Sequence, residues 1–116
     1  CRVSFCVEKT PLGTGGAIKK SSTLISTDSF VALNGDTLCD IDYSELLTAA
    51  LDVDLIVAAA GVSDVSRYGR IVIDKDKNII ELNEKGYTGP GLINAGTYVV
   101  NTTYLQKFTK TFYKLV

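Results

Sequence analysis

The chain has 116 residues, 46% hydrophobic and 22% charged, enough apolar material for one globular domain and without a low-complexity stretch. Its 12 Lys and Arg against 13 Asp and Glu give a net charge of −1, so no global field favours nucleic acid or an anionic membrane as a partner. Histidine is absent, which removes Ser-His and Cys-His nucleophile pairs and His-ligated zinc, and leaves chemistry to carboxylates, Lys, Arg, Tyr and bound metal.

Arg2–Val7 reads as a strand. It follows directly on the first residue with no leading Met and no basic-then-apolar secretion pattern, so the chain reads as a piece of a longer, cytoplasmic protein. From Thr14, the apolar positions Ala17, Ile18, Leu24 and Ile25 fall at helical spacing. Ser29–Leu33 is a second strand. Asp42 with Glu45 resembles a capping box ahead of a helix whose apolar face is Leu46, Leu47, Ala50 and Leu51. Asp54–Ala60 is a third strand, and its apolar run is far too short to span a bilayer. Apolar strands alternating with amphipathic helices predict parallel βαβ units.

After Gly61 the pattern changes. Val62–Arg67 is a polar loop, and Gly69–Asp74 and Ile79–Glu84 form a hairpin joined by Lys75-Asp76-Lys77-Asn78. Leu92–Val100 is a further β run interrupted at Asn94-Ala95-Gly96. From Asn101, with Thr102 and Thr103 as caps, Tyr104, Leu105, Phe108 and Phe112 recur at helical spacing. Cys1, Cys6 and Cys39 show no CxxC pair, and the composition favours Cys6 and Cys39 as small buried hydrophobes over disulfide or zinc partners.

Two segments carry chemistry. Pro11-Leu12-Gly13-Thr14-Gly15-Gly16-Ala17 is a glycine-rich strand-to-helix turn that lets backbone N–H groups approach an anionic or flat ligand. Ile18 stands where a dinucleotide fingerprint needs its third glycine and where a P-loop needs glycine before lysine, so the first is disfavoured and the second excluded. A purely conformational glycine turn stays open. Leu33-Asn34-Gly35-Asp36 then ends a strand with an Asp suited to a divalent cation, although Asn-Gly-Asp is also common turn chemistry.

Glu8, Pro11–Ala17, Asn34-Gly35-Asp36, Tyr68-Gly69, Glu84-Lys85 and Gly91–Tyr98, in that order, resemble the motifs of sugar-1-phosphate nucleotidyltransferases, and in particular of guanylyltransferases acting on mannose-1-phosphate or D-glycero-D-manno-heptose-1-phosphate. The resemblance runs from Glu8 to Tyr98. It implies a Rossmann-like α/β fold, mainly a parallel sheet with helices on both faces plus an antiparallel hairpin, in a single domain over residues 1–116 that lacks its N-terminal and C-terminal parts. It implies GTP and a sugar-1-phosphate as partners and Mg2+ as cofactor, with a homo-oligomer left open.

By the same resemblance, Glu8, Leu12, Gly13, Thr14, Asn34 and Gly35 contact the nucleotide. A carboxylate at Glu8 would accept from guanine N1–H and the N2 amino group. Asp36 is the metal ligand and, with Lys85, the catalytic core. Tyr68, Gly69, Glu84, Lys85 and Asn94 meet the sugar phosphate. The family's triphosphate-cradling loop and a second metal-binding Asp have no counterpart here, so the chain is expected to be inactive alone. A binding module without turnover and a thymidylyl or cytidylyl transferase are the alternatives.

Overall fold

The computed structural model describes residues 1–83 and 85–107. Its elements are α1 (Gly13–Ser22), β1 (Ser29–Leu33), α2 (Tyr43–Ala49), β2 (Leu55–Val62), β3 (Arg70–Ile73), β4 (Ile79–Asn83), β5 (Gly91–Asn101) and α3 (Thr102–Lys107). The expected helix positions Phe108 and Phe112 lie outside the described residues.

β5 organises the sheet. It pairs with β2 along most of its length, with β1 from Thr97 to Asn101 and with β3 at Leu92 and Ile93. Because β2 occupies one side of β5 at both ends, β1 and β3 must share the other side, end to end. Among the described residues every strand pair is antiparallel, so the expected parallel sheet is corrected. The reason is topological: β1 and β2 do run the same way, but β5 inserts between them and supplies both ladders in the opposite direction.

The core follows the same strand. Among the described residues Ile93, Ala95, Tyr98, Val99 and Val100 of β5 are buried, and Tyr98 and Val100 join Leu105 of α3 in a cluster that Ile18, Phe30, Leu55 and Val57 pack against. Burying side chains of this size stabilises by roughly 1.5–3 kcal/mol each. The end of β5 also fastens both neighbouring strand entries. Asn101 N–H donates to the Asp54 carbonyl at 2.9 Å and Thr102 N–H to the Asp28 carbonyl at 2.8 Å. The Asn101 side chain then accepts from the N–H groups of Thr103 and Tyr104. Asn101, and not Thr102 or Thr103, therefore caps α3.

Other expectations hold or fail for local reasons. Asp42 caps α2 by accepting from Ser44 and Glu45 N–H, as the sequence pattern predicts. α2 nevertheless has no buried residue, and Leu47 and Leu51 of its expected apolar face are exposed. α1 ends at Ser22, before Leu24 and Ile25. Arg2–Val7 is not a strand: no described strand pairs with it, so its backbone gains no ladder, and Val3, Phe5 and Val7 are exposed. Cys6 and Cys39 are half-buried free thiols, not core residues. The β3–β4 hairpin forms as expected, its turn held by the Asp74 carboxylate on the N–H groups of Asp76 and Asn78.

The interruption in β5 is a bulge. Between Val57↔Tyr98 and Ala59↔Asn94, β2 advances two residues while β5 advances four. Gly96 there has φ +71°, and a Cβ on it would lie 2.7 Å from Asn34 Nδ2. Gly96→Ala is expected to lower unfolding free energy by about 1–3 kcal/mol in chemical denaturation. Gly61→Ala, with nothing within 4 Å of the added methyl, should stay within about 0.5 kcal/mol.

Candidate active site

The bulge falls where β1 ends and β3 begins. Leu33 pairs with Thr97, Asn34 N–H donates to the Gly96 carbonyl at 2.8 Å, and Arg70 pairs with Ile93. The carboxyl end of β1 and the amino end of β3 therefore face each other across Asn94–Gly96. The chain leaves the sheet at Asn34 and returns through Tyr68 and Gly69. A cavity of about 540 Å³ opens at this gap, lined by Thr37 and Asp40 of the departing loop, Ala60 of β2, Tyr68, and Asn94 of the bulge.

Asn94 is held from both ends of its amide. Its Oδ1 accepts from Gly96 N–H at 2.9 Å and its Nδ2 donates to the buried Tyr98 hydroxyl at 2.7 Å. The first bond shapes the bulge and the second fixes the side chain to the core. Asn34 lies over Gly96 in the space a Cβ would fill, so the loop carrying Gly35 and Asp36 is seated directly on the bulge. Asp36 itself is exposed beside Thr37, whose hydroxyl donates to it at 3.3 Å. Among the described residues no three His, Cys, Asp or Glu side chains group as a metal cage. A lone accessible carboxylate suits Mg2+, which is commonly held by one or two carboxylates together with substrate phosphates and water.

The remaining expected residues stand apart from this cavity. Glu8 Oε2 accepts from Leu12 N–H at 3.0 Å, closing the turn that leads into Gly13, which has φ +70°. Leu12 gives α1 no side-chain cap, and Thr14 lies in its first turn. Lys20 Nζ reaches the Val7 carbonyl at 2.6 Å and ties the preceding segment to α1. Of the expected site residues that are described, only Tyr68 and Asn94 line the cavity; Glu8, Leu12, Gly13, Thr14 and Lys85 do not, nor do Asn34, Gly35, Asp36 and Gly69, which adjoin the lining residues in the chain. Lys85 is exposed at a bend after β4, and Glu84 lies outside the described residues.

Asp64 was not among the residues that sequence reading singled out, yet it organises the cavity's Tyr68 side. Its carboxylate accepts from Ser66 N–H, Ser66 Oγ and Gly89 N–H. The Asp64-Val65-Ser66 spacing is an Asx-turn pattern that could have flagged it. The Ser66 hydroxyl first, then the main-chain N–H groups of Ser66 and Gly89, hold its pKa below the ordinary 3.8. Those bonds favour the charged form in the folded protein.

The nucleotidyl transferase family profile matches residues 1–115. A D-glycero-alpha-D-manno-heptose 1-phosphate guanylyltransferase of Campylobacter jejuni is 36% identical over 107 residues, covering 92% of this chain and 47% of that protein. A mannose-1-phosphate guanyltransferase of Candida albicans is 36% identical over 111 residues, covering 90% and 31%. The crystal structure of HddC from Yersinia pseudotuberculosis complexed with GMP-PN superposes with a TM-score of 0.83 at 40% identity, covering 94% of this chain and 48% of that one. The chain thus spans less than half the length of the proteins it matches.

A folded-state pKa below the unfolded value means that Asp64 stabilises fully above pH 3.8, and that this contribution is lost as pH falls through the lowered folded value. The denaturation midpoint of Asp64→Ala is accordingly expected to lie below wild type at neutral pH. The two midpoints should converge in acid.

Proposed function

We propose a function from one premise: the chain belongs to the nucleotidyl transferase family. The protein transfers GMP from GTP to a heptose- or mannose-1-phosphate, giving a nucleotide sugar and pyrophosphate. The observation that carries this reading is the gap in the sheet where Asn34 is seated on the Gly96 bulge and where the loop that follows Asp36, from Thr37, lines one cavity with Tyr68 and Asn94. The names of the related guanylyltransferases support the substrate classes. A nucleoside triphosphate substrate fits a cytoplasmic enzyme.

In this reaction an oxygen of the sugar-1-phosphate attacks the α-phosphorus of GTP. The new P–O bond forms as the bond to the β-phosphate breaks, and the electron pair leaves with pyrophosphate. The nucleophile is already ionised at neutral pH, so no general base is required, and a chain without histidine is suited to the task. Asp36 would hold Mg2+, which when bound neutralises charge on the phosphate oxygens. Asn34 keeps the Asp36 loop on the bulge and, with Gly35, would line the nucleotide's path. Glu8, oriented by its bond to Leu12 N–H, would read the guanine edge, beside the backbone of Gly13 and Thr14. Tyr68, Gly69 and Asn94 would face the sugar, with Glu84 accepting from its hydroxyls, and Lys85 would meet its phosphate as a point charge.

Pyrophosphate release by the complete gene product, with magnesium and each pairing of nucleoside triphosphate and sugar-1-phosphate, tests the reading. Release is expected with GTP and a heptose- or mannose-1-phosphate. Release only with CTP or dTTP, or with no pair, would contradict it. Asp36→Asn should lower turnover on the order of 100-fold with an unchanged denaturation midpoint, because an exposed ligand and not a core contact is lost.

A further inference from the structure

Outside the residues already assigned, one side chain joins two segments that are distant in sequence. Asp64 accepts a hydrogen bond from Gly89 N–H at 3.1 Å across 25 residues, while Val65 N–H donates to the Gly89 carbonyl at 3.0 Å. These two bonds make a short double link between the loop after β2 and the segment before β5. Val65 is 2% exposed, and a Cβ on Gly91 would lie 3.0 Å from its Cγ1, so the link is backed by close packing.

Each side of the link leads to a residue assigned to the sugar phosphate. On one side, Ser66 N–H and Oγ bond the Asp64 carboxylate, and Tyr68 N–H then closes a turn onto the Val65 carbonyl at 2.8 Å. That turn delivers Tyr68 to the cavity and Gly69 to the start of β3. On the other side, Lys85 is followed by Gly86 and Gly89, whose φ values of +132° and +90° suit a segment with little intrinsic preference for one path. Arg70 lies over the Tyr87 ring at 5.4 Å and gives that segment a second, weaker hold.

We infer that Asp64 is a positioning residue for the sugar phosphate: by clasping the turn that bears Tyr68 to Gly89, in the segment that follows Lys85, it restricts how far the two substrate contacts can separate. The inference rests on the transferase reading above. Asp64 itself is not placed against substrate. Both main-chain N–H groups bond Oδ1, so an Asn at this position keeps the acceptor that makes the clasp, whereas Ala removes it.

The test is steady-state kinetics on the complete gene product, with amide hydrogen exchange on the same proteins. Asp64→Ala should raise KM for the sugar-1-phosphate roughly tenfold with KM for GTP unchanged, since misplaced contacts weaken one substrate and spare the other. Exchange at the Ser66 and Gly89 amides should accelerate, and Asp64→Asn should restore both readouts toward wild type. Equal changes in both KM values, or none, in an active Asp64→Ala enzyme would overturn the positioning role and leave the transferase reading intact. If Asp64→Ala does not fold, Ser66→Ala, which removes only the hydroxyl bond, must show the same one-sided rise at smaller size, and an unchanged KM there overturns the role. A wild-type protein silent with every substrate pair would overturn the transferase reading and this inference together.

Discussion

The contact between Asn34 and Gly96 is the constraint on which the rest of the structure depends. β5 is the only described strand with three partners, and its bulge divides the side it shares between β1 and β3. A residue with a Cβ at position 96 would intrude on Asn34, and φ +71° there would strain it. A glycine at this position lets the chain leave the sheet at Asn34 and return at Tyr68 without opening the core beneath. The same bulge turns Asn94 so that its amide bonds Gly96 on one side and the Tyr98 hydroxyl on the other. Fold and site are therefore one arrangement, since the irregularity that ends two ladders also provides the cavity.

The polar groups proposed to meet the substrates and the metal are arranged by short local bonds. Asp36 stands on a loop seated by Asn34, Tyr68 on a turn seated by Asp64 and Val65, and Glu8 on a turn closed by Leu12. None of these carboxylates is deeply buried, so they carry little desolvation cost and remain available to cations and to hydrogen-bond donors. Phosphoryl chemistry with an ionised nucleophile asks for such positioned charges and not for a proton relay.

Much of this was legible in sequence where the signal is local. Ser29–Leu33, the hairpin turn at Asp74–Asn78 and the Asp42 cap were readable because a few neighbouring residues determine them. The ordered motifs also pointed to the family. What failed was non-local. Alternation of strand and helix suggested parallel pairing, but it could not reveal that a strand well downstream of both, β5, inserts between β1 and β2. Periodicity gave α2 an apolar face without showing that its Leu47 lies in solvent, and Arg2–Val7 suggested a strand that the structure does not form, since no described strand pairs with it. Asn94-Ala95-Gly96 was legible as a break in a β run, but its meeting with Asn34 was not, because the two are brought together only by β1–β5 register. Asp64 is not legible as more than a turn residue, because its nearest bonds are ordinary turn chemistry and the bond to Gly89 that gives it reach lies 25 residues away.

In the proposed reaction nucleotide and metal meet beside the β5 bulge, on the loop that Asn34 seats there. Amide NMR of the complete gene product titrated with GTP and Mn2+ in place of Mg2+ tests it most directly, because the paramagnetic ion broadens resonances near its site. The expected result is concerted broadening at Asn34–Thr37 and Asn94–Gly96. Saturable broadening elsewhere in the protein, with these amides unchanged, would contradict the account.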